Sequence, residues 1–455
     1  MQKPVLSRGT HDFGPIQMSK RKYILSTIEN VFKLYGFMPI ETPAMEQLST
    51  LTGKYGEEGD QLLFKILNNG NFLNGVTPDE LSIENYKLLT NKISEKGLRY
   101  DLTVPFARFV VMNQHQITFP FKRYQMQPVW RADRPAKGRY REFWQCDADV
   151  IGSNSLLNEA DLLSIYYHVF SNLSLPISIH LNNRKILEGV CEVNHCANQF
   201  IDFCTAIDKL DKIGWDGVVN ELQQRNINID NIEQIKNILS PAPFDLGKLS
   251  QLKLYLENSE IGLKGVNELN EVFDYLKGTD TINSVVLDGT LARGLSYYTG
   301  CIVEVKPLGV SMGSIGGGGR YDDLTGQFGL KNLSGVGISF GADRIYDVME
   351  ELNLFPVNNN HFTDVLFCSM DDIAISYCNK AANELRILGI KTEVYPQATK
   401  LKKQLDYAND KKIKYAAIVG ENEIRDNKYS LKNLDSGEQM ALELSELKKI
   451  ILENK

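Results

Sequence analysis

The feature that most restricts this chain is a pair of strand-length segments, Phe121 to Trp130 and Arg141 to Ile151, separated by an Arg/Gly/Pro-rich stretch, Arg131 to Tyr140. They read as two strands joined by a long hairpin loop. The loop and its flanks carry Arg131, Arg134, Arg139, Arg141 and Lys137, with Arg123 at the edge. Guanidiniums so concentrated repel one another unless an anion offsets them, and arginine suits forked contacts with phosphate or carboxylate. Phe143 and Trp144 follow at the loop's return, where a ring could stack on a base. Charge alone leaves a solvated basic loop equally open.

Around this hairpin the chain falls into distinct stretches. Ile24, Ile28, Val31, Phe32 and Tyr35 recur at helical spacing within Met18 to Tyr35, and Gly36 supplies a stop. A short strand is expected at Phe37 to Ile40, a loop-rich region from Tyr55 to Lys96, and an amphipathic helix at Leu157 to Leu173. From about Leu187 to Lys277 helical patterns dominate; strands return at Ser284 to Asp288, Cys301 to Val305 and Val336 to Phe340. Asn353 to Asn360 is polar, contains a proline and reads as a linker. Beyond it strand and helix alternate, which predicts a small α/β domain with a partly parallel sheet.

At 455 residues the chain exceeds one ordinary core, so two or three domains are expected. No apolar run reaches membrane-spanning length and no secretory leader is visible at Met1 to Asp12. Seven cysteines at irregular spacing favour a reducing compartment, hence the cytoplasm, over a disulfide framework. Cys191, His195, Cys196 and Cys204 match no usual zinc spacing, and no metal site is expected from them. A net charge of −7 argues against non-specific nucleic-acid binding but leaves room for an RNA held by local patches.

Three further segments carry chemistry. LDGTLARGLSYYTG (287–300) places a lone arginine, Arg293, before Tyr297 and Tyr298; a glycine-bent strand with core tyrosines explains it as well. GSIGGGGRYDDL (313–324) has four successive glycines, which permit close backbone approach, but it lacks the lysine and spacing of a phosphate-binding loop. GVGISFGADRIYDVME (335–350) runs from strand to helix with Arg344 in the first helical turn. A cation opposes the helix dipole there, unless it shares an anion with the helix end.

In this order and spacing, these segments resemble the histidyl-tRNA synthetases, a family of class II aminoacyl-tRNA synthetases. SRGTHDFGP resembles the family's opening and RYDLTVPFARF (99–109) its amino-acid loop. WRADRPAKGRYREFWQ resembles class II motif 2, and GISFGADRI resembles motif 3. ARGLSYYTG is the specific segment, being similar to the family's histidine signature. The resemblance implies an α+β catalytic domain on a mostly antiparallel sheet (1–186 and 278–352) and a helical insertion (187–277). It further implies a linker (353–361) and a C-terminal α/β anticodon-binding domain (362–455).

Carried over residue by residue, the resemblance implies these roles. Arg131 and Arg293 meet the ATP α-phosphate; Arg139 and Arg344 clamp the β/γ end, and Phe143 stacks on adenine. Asp101, Leu102, Thr103 and Gln145 surround the α-amino group, while Arg131 also meets the histidine carboxylate. Asp149 and Tyr298 grip the imidazole beside Tyr297, and Tyr321 lies near. The chain departs from the family's pattern at Ser296, Asp133 and Asp149, where acidic or longer acidic residues are usual. Histidine, ATP with Mg²⁺ on its phosphates, tRNA(His) and a second copy of the chain, paired around Gly36 to Leu48, are the implied partners. Lys400, Lys402, Lys403, Lys411, Lys412 and Lys414 fall in the implied RNA-binding domain. The rival readings are a non-catalytic regulatory paralogue serving histidine biosynthesis, or a class II enzyme for threonine, proline or glycine. The retention of Arg131, Gln145, Arg293, Tyr298 and Arg344 and of the C-terminal domain opposes the first. The ARGLSYYTG segment opposes the second.

Overall fold

The computed structural model describes every residue except 1–2, 54–55, 82–85, 228, 230, 293–297, 323, 357–361 and 454–455. The chain divides into two compact units, Met1–Phe355 and Pro356–Lys455.

Unit one is built on a nine-stranded sheet among the described residues. Its strands are β1 Met38–Pro39, β2 Phe121–Trp130, β3 Glu142–Ile151, β4 Ile177–Asn183, β5 Ala242–Pro243, β6 Val285–Leu287, β7 Cys301–Pro307, β8 Gly316–Tyr321 and β9 Gly335–Gly341. Spatially they run β1-β2-β3-β9-β8-β7-β4-β6-β5, and all neighbours are antiparallel except β1 with β2 and β4 with β6. The two long segments pair over their whole length, from Phe121 opposite Ile151 to Trp130 opposite Glu142.

Side chains alternate across a strand, so each strand of this sheet has two characters. Cys146, Ala148 and Val150 of β3, with Val336, Ile338 and Phe340 of β9, enter one large apolar core. Covering that face are the helices α1 Pro15–Leu34, α3 Leu157–Asn172 and α4 Ala342–Glu351; the fourth helix named here, α2 Thr103–Asn113, belongs to the opposite side. Phe340 sits at the centre of the covered face, with its ring 4.6 Å from Tyr166, 5.6 Å from Phe170 and 5.8 Å from Phe32. α1 contributes Ile24, Ile28, Val31 and Phe32 as one buried stripe, and Gly36, with φ of 77°, ends it as expected. The alternate residues face the other way, and among them Arg123, Gln125 and Gln127 of β2, Gln145, Asp147 and Asp149 of β3 and Ser339 of β9 bring polar groups to the side of the site.

The helical region spans Arg184–Val193 to Glu260–Leu276 and shares the same core as the sheet. β5 within it pairs with β6 at the sheet edge. The loop-rich stretch after Tyr55 contains more order than its composition suggested: Lys96–Leu98 pairs with Met45–Gln47 on one side and with Lys65–Ile66 on the other, forming a small second sheet.

Unit two has a five-stranded sheet of β10 Val365–Ser369, β11 Thr392–Val394, β12 Tyr415–Val419, β13 Tyr429–Asn433 and β14 Gln439–Leu442, in the order β11-β10-β12-β13-β14. The first three are parallel and the last two antiparallel, which agrees with a partly parallel sheet. Helix α5 Asp372–Ile387 covers the face of Val365 and Phe367, and α6 Leu401–Asp410 covers that of Leu366 and Cys368.

Candidate active site

On the polar face of the large sheet a cavity of about 400 Å³ opens between β3, β7, β8, β9 and the hairpin loop. Arg131, Arg139, Phe143, Gln145, Tyr298 and Arg344 all line it. Residues more than 200 positions apart therefore meet because the sheet order brings β3 beside β9 and then β8. Arg293 and Tyr297 lie outside the described residues.

Arg131 and Arg344 are held by backbone carbonyls, and Arg139 by a carboxylate. Arg131 donates from Nε to the Tyr100 carbonyl at 3.0 Å and lies over the rings of Tyr100 and Phe143. Arg344 donates from Nε to the Gly138 carbonyl and from Nη1 to the Ser314 carbonyl, both at 2.7 Å. It thereby ties the hairpin loop to the glycine-rich segment. Burial, then the neighbouring Arg139 and Arg131, lower its pKa, as expected where cations converge without enough negative charge. Arg139 is paired with Asp133 at 3.1 Å and is the more exposed partner.

Asp343, in the first turn of α4, accepts from the Trp144 N–H at 2.8 Å and forms a buried ion pair with Arg21. Tyr140 in the loop donates to Asp347 at 2.6 Å. The loop is thus fastened to α4 and, through Arg141 N–H donating to the Gly9 carbonyl at 2.8 Å, to the N-terminal segment.

Below the cavity lies a buried polar layer. Arg123 is not an anion-binding residue at the loop's edge, as the run of arginines suggested. It is fully buried in β2, directly opposite Asp149, and pairs with that carboxylate at 2.7 Å. The alternation of β2 turns it inward, and only a buried carboxylate makes that position tolerable. Asp149 also accepts from the Tyr321 hydroxyl at 2.7 Å. Its pKa is raised by burial against the opposing pull of Arg123 and Tyr321. Tyr298 lies near enough for the charges of Asp149, Asp147, Asp101 and Arg131 to act on its hydroxyl, and burial, the largest effect, raises its pKa.

Asp101, Leu102, Thr103, Asp149 and Tyr321 are not among the residues lining the cavity. Asp101 accepts from the Val104 N–H at 3.1 Å at the start of α2, where Thr103 is the first helical residue. Leu102 is buried, and its carbonyl faces Arg123 at 3.4 Å.

The four glycines have a different role from a phosphate cradle: they form strand β8 itself. A Cβ on Gly319 would lie 2.8 Å from the Tyr298 ring, and one on Gly337 of β9 would lie 2.0 Å from Asp149 Oδ1. Missing side chains on these strands make room for the Tyr298 ring and the Asp149 carboxylate.

Several relatives share this organisation. A family model described as histidyl-tRNA synthetase matches residues 71–345, and one described as anticodon binding domain matches residues 354–454. A histidine–tRNA ligase of Phocaeicola vulgatus is 53% identical over 449 residues, covering 99% of each chain. One from Cytophaga hutchinsonii is also 53% identical, covering 98% of this chain and 99% of that one. The crystal structure of a histidyl-tRNA synthetase from a Nostoc species superposes with a TM-score of 0.84 at 31% identity, with all of both chains covered.

The chain belongs to the histidyl-tRNA synthetase family.

Within that family's fold, the sequence alone did not single out five residues of this site. Glu304 of β7 lines the cavity and is only 8% exposed; a lone acid within the apolar run CIVEV was its one sequence signal. Asp133, noted only as a motif variant, lines the cavity beside the arginines. Ser339 lines it from β9, while Asp147 and Gln125 are buried behind it. No helix among the described residues is long and apolar enough to cross a membrane.

Proposed function

We propose that this chain is a histidine–tRNA ligase. A histidine carboxylate oxygen attacks the α-phosphorus of ATP, the bond to the β-phosphate breaks, and pyrophosphate leaves. The terminal ribose hydroxyl of tRNA(His) then attacks the adenylate carbonyl, and AMP departs. The carrying observation is the convergence of Arg131, Arg139, Arg344, Phe143, Gln145 and Tyr298 on one cavity. Catalysis of this kind depends on positioning and on fixed positive charge where negative charge develops.

In this reading Arg131 holds the α-phosphate and the amino-acid carboxylate, joined by Arg293. Arg139 and Arg344 hold the β/γ end, and Phe143 stacks on adenine. Asp101, Leu102, Thr103 and Gln145 form the α-amino site. Asp149 and Tyr298, with Tyr297 beside them, read the imidazole. A site that hydrogen-bonds its substrate's polar groups rejects analogues lacking them by about 10⁴-fold or more.

Magnesium on phosphates takes oxygen ligands and needs only one or two carboxylates from the protein. Glu304, on the cavity wall opposite Gly317, fits that need. When bound there the ion would neutralise charge on the leaving pyrophosphate.

The regulatory-subunit reading is not favoured: Arg131, Arg139 and Arg344 line one cavity, and the relatives at 53% identity are histidine–tRNA ligases. We further assign the chain to the cytoplasm as a homodimer, formed through the region around Gly36 to Leu48. Histidine-dependent ATP–pyrophosphate exchange tests the main reading. Exchange with histidine and not with threonine, proline or glycine is expected, and its absence with histidine overturns the proposal. Sedimentation at twice 51.4 kDa tests the dimer.

A further inference from the structure

Gln145 is an amide with a donor end and an acceptor end, and the two are not equivalent to a substrate ammonium group. Its Nε2 donates to the Ser339 hydroxyl at 2.8 Å, and its Oε1 is buried without a hydrogen-bond partner. Ser339 stands opposite Asp147 in the β3–β9 register, and its hydroxyl hydrogen-bonds that carboxylate. Asp147 is 2% exposed, and its Oδ1 is likewise buried without a partner. Buried acceptors left this way cost stability and mark places where a ligand completes the bonding.

We propose that Asp147 and Ser339 form a positioning relay that fixes Gln145 with its carbonyl oxygen toward the substrate's α-ammonium group, and that the relay works only while Asp147 is ionised. The proposal rests on the reading of Gln145 as part of the α-amino site.

An ionised Asp147 can only accept, so the single Ser339 proton is donated to it. Ser339 then has only lone pairs to offer Gln145, which must answer with its N–H₂. The carbonyl end is left for the ammonium group, and a charge-assisted hydrogen bond forms there. Protonating Asp147 supplies a donor to Ser339. The serine proton is then free to meet the Gln145 carbonyl, which turns the N–H₂ end toward the ammonium group and opposes it.

Every element packed around Asp147 bears on its proton. Burial is the largest effect and raises its pKa. Arg123 from β2 opposes this, and Asp149 beside it on β3 and Asp101 before α2 add to it. Arg99 lies within electrostatic reach from the small-sheet side, Tyr166 from α3, Tyr298 across the cavity and Cys146 next in the chain. The balance is a carboxyl pushed up to about 7, so the relay switches near neutrality.

The test is histidine-dependent ATP–pyrophosphate exchange by the full chain from pH 6 to 9, with KM measured for histidine and for ATP. Ser339→Ala should raise KM for histidine roughly tenfold or more at pH 8, the scale of a hydrogen bond to a charged group, and leave KM for ATP unchanged. Ser339→Thr should restore the wild-type value. Below pH 7 the wild type and Ser339→Thr should show an added rise in KM for histidine that is missing from Ser339→Ala and from Asp147→Asn. The substrate's own imidazole titrates equally in all four and cancels in the comparison. Unchanged KM and pH profile in Ser339→Ala overturns the relay. Should that variant unfold, an unaltered pH profile in Asp147→Asn overturns it instead. Gln145→Ala separates the layers: if its KM for histidine is unchanged, the α-amino reading of Gln145 itself is wrong.

Discussion

Arg123 and Asp149 face each other in register across the β2–β3 hairpin and form an ion pair of 2.7 Å, with the arginine side chain at 0% and the aspartate at 3% exposure. The pair ties β2 and β3 to β8 and to the start of α2, because Tyr321 and the Leu102 carbonyl converge on it.

Breaking such a pair from one side leaves a buried charge uncompensated. Arg123→Met should destabilise unit one by about 3–5 kcal/mol, and the double variant Arg123→Met/Asp149→Leu should recover much of that loss. Urea unfolding followed by tryptophan fluorescence reads both. A single variant as stable as wild type would mean that the pair is not load-sharing in the fold. The double variant should nonetheless be inactive toward histidine, since Asp149 is the proposed imidazole partner.

Asp147 makes an opposite demand on stability. Its carboxyl is pushed up to about 7, well above the usual carboxylate range, chiefly by burial. A carboxylate whose folded-state pKa is raised favours the fold most below its unfolded value, and that contribution is lost as pH rises toward the folded value. Asp147→Asn, which cannot ionise, should therefore gain melting temperature relative to wild type as pH rises from 4 to about 7, and the gain should level off above that. A constant difference across this range would show that Asp147 titrates normally. Retaining an acid there at a cost in stability fits a functional position.

Much of this site was legible as sequence because the cations sit close together in it. Arg131, Arg139 and Phe143 fall within one hairpin, and strand-length patterns on both sides fixed their position before any partner was known. Arg344 was legible because a cation in the first turn of a helix needs a reason. Arg123 was misread because its partner is 26 positions away and visible only through strand register. The glycine-rich strand β8 was hidden because glycine has little strand preference; its neighbours β7 and β9 impose the conformation. Ser339 and Asp147 carry no signal singly, since their meaning lies in facing each other. In unit two the closing hairpin β13–β14 was passed over, its strands being short and its last one largely exposed, with no alternation to mark it.

Arg344 is held by two backbone carbonyls that diverge from one planar group. A lysine ammonium keeps the charge but cannot span both while also meeting a phosphate. Arg344→Lys should lower kcat/KM for ATP by about 10²–10³, the range for loss of one preorganised donor, with KM for histidine nearly unchanged. Equal losses for both substrates would mean that the arginine supports the fold of the loop and not the triphosphate.

Arg293 is assigned by the family signature to the α-phosphate, where charge grows most in the transition state. Arg293→Ala should slow adenylate formation by about 10²–10³ in a single-turnover assay while the melting temperature stays at the wild-type value. A parallel fall in melting temperature would identify the residue as structural.

Gly337 tests whether Asp149 reads the substrate. A methyl group there would lie 2.0 Å from Asp149 Oδ1 and 2.5 Å from its carboxyl carbon. The carboxylate cannot retreat freely, because Arg123 holds one oxygen and Tyr321 the other. Gly337→Ala must therefore shift the group by a fraction of its hydrogen-bonding reach, and a displacement of about 1 Å costs roughly 10²-fold in a positioned reaction. The expected loss falls on kcat/KM for histidine, with the ATP constants preserved, because Arg131, Arg139 and Arg344 stand on other elements. If histidine kinetics survive in a folded Gly337→Ala protein, Asp149 serves the core of the sheet alone, and the imidazole must be read by Tyr298 and its neighbours.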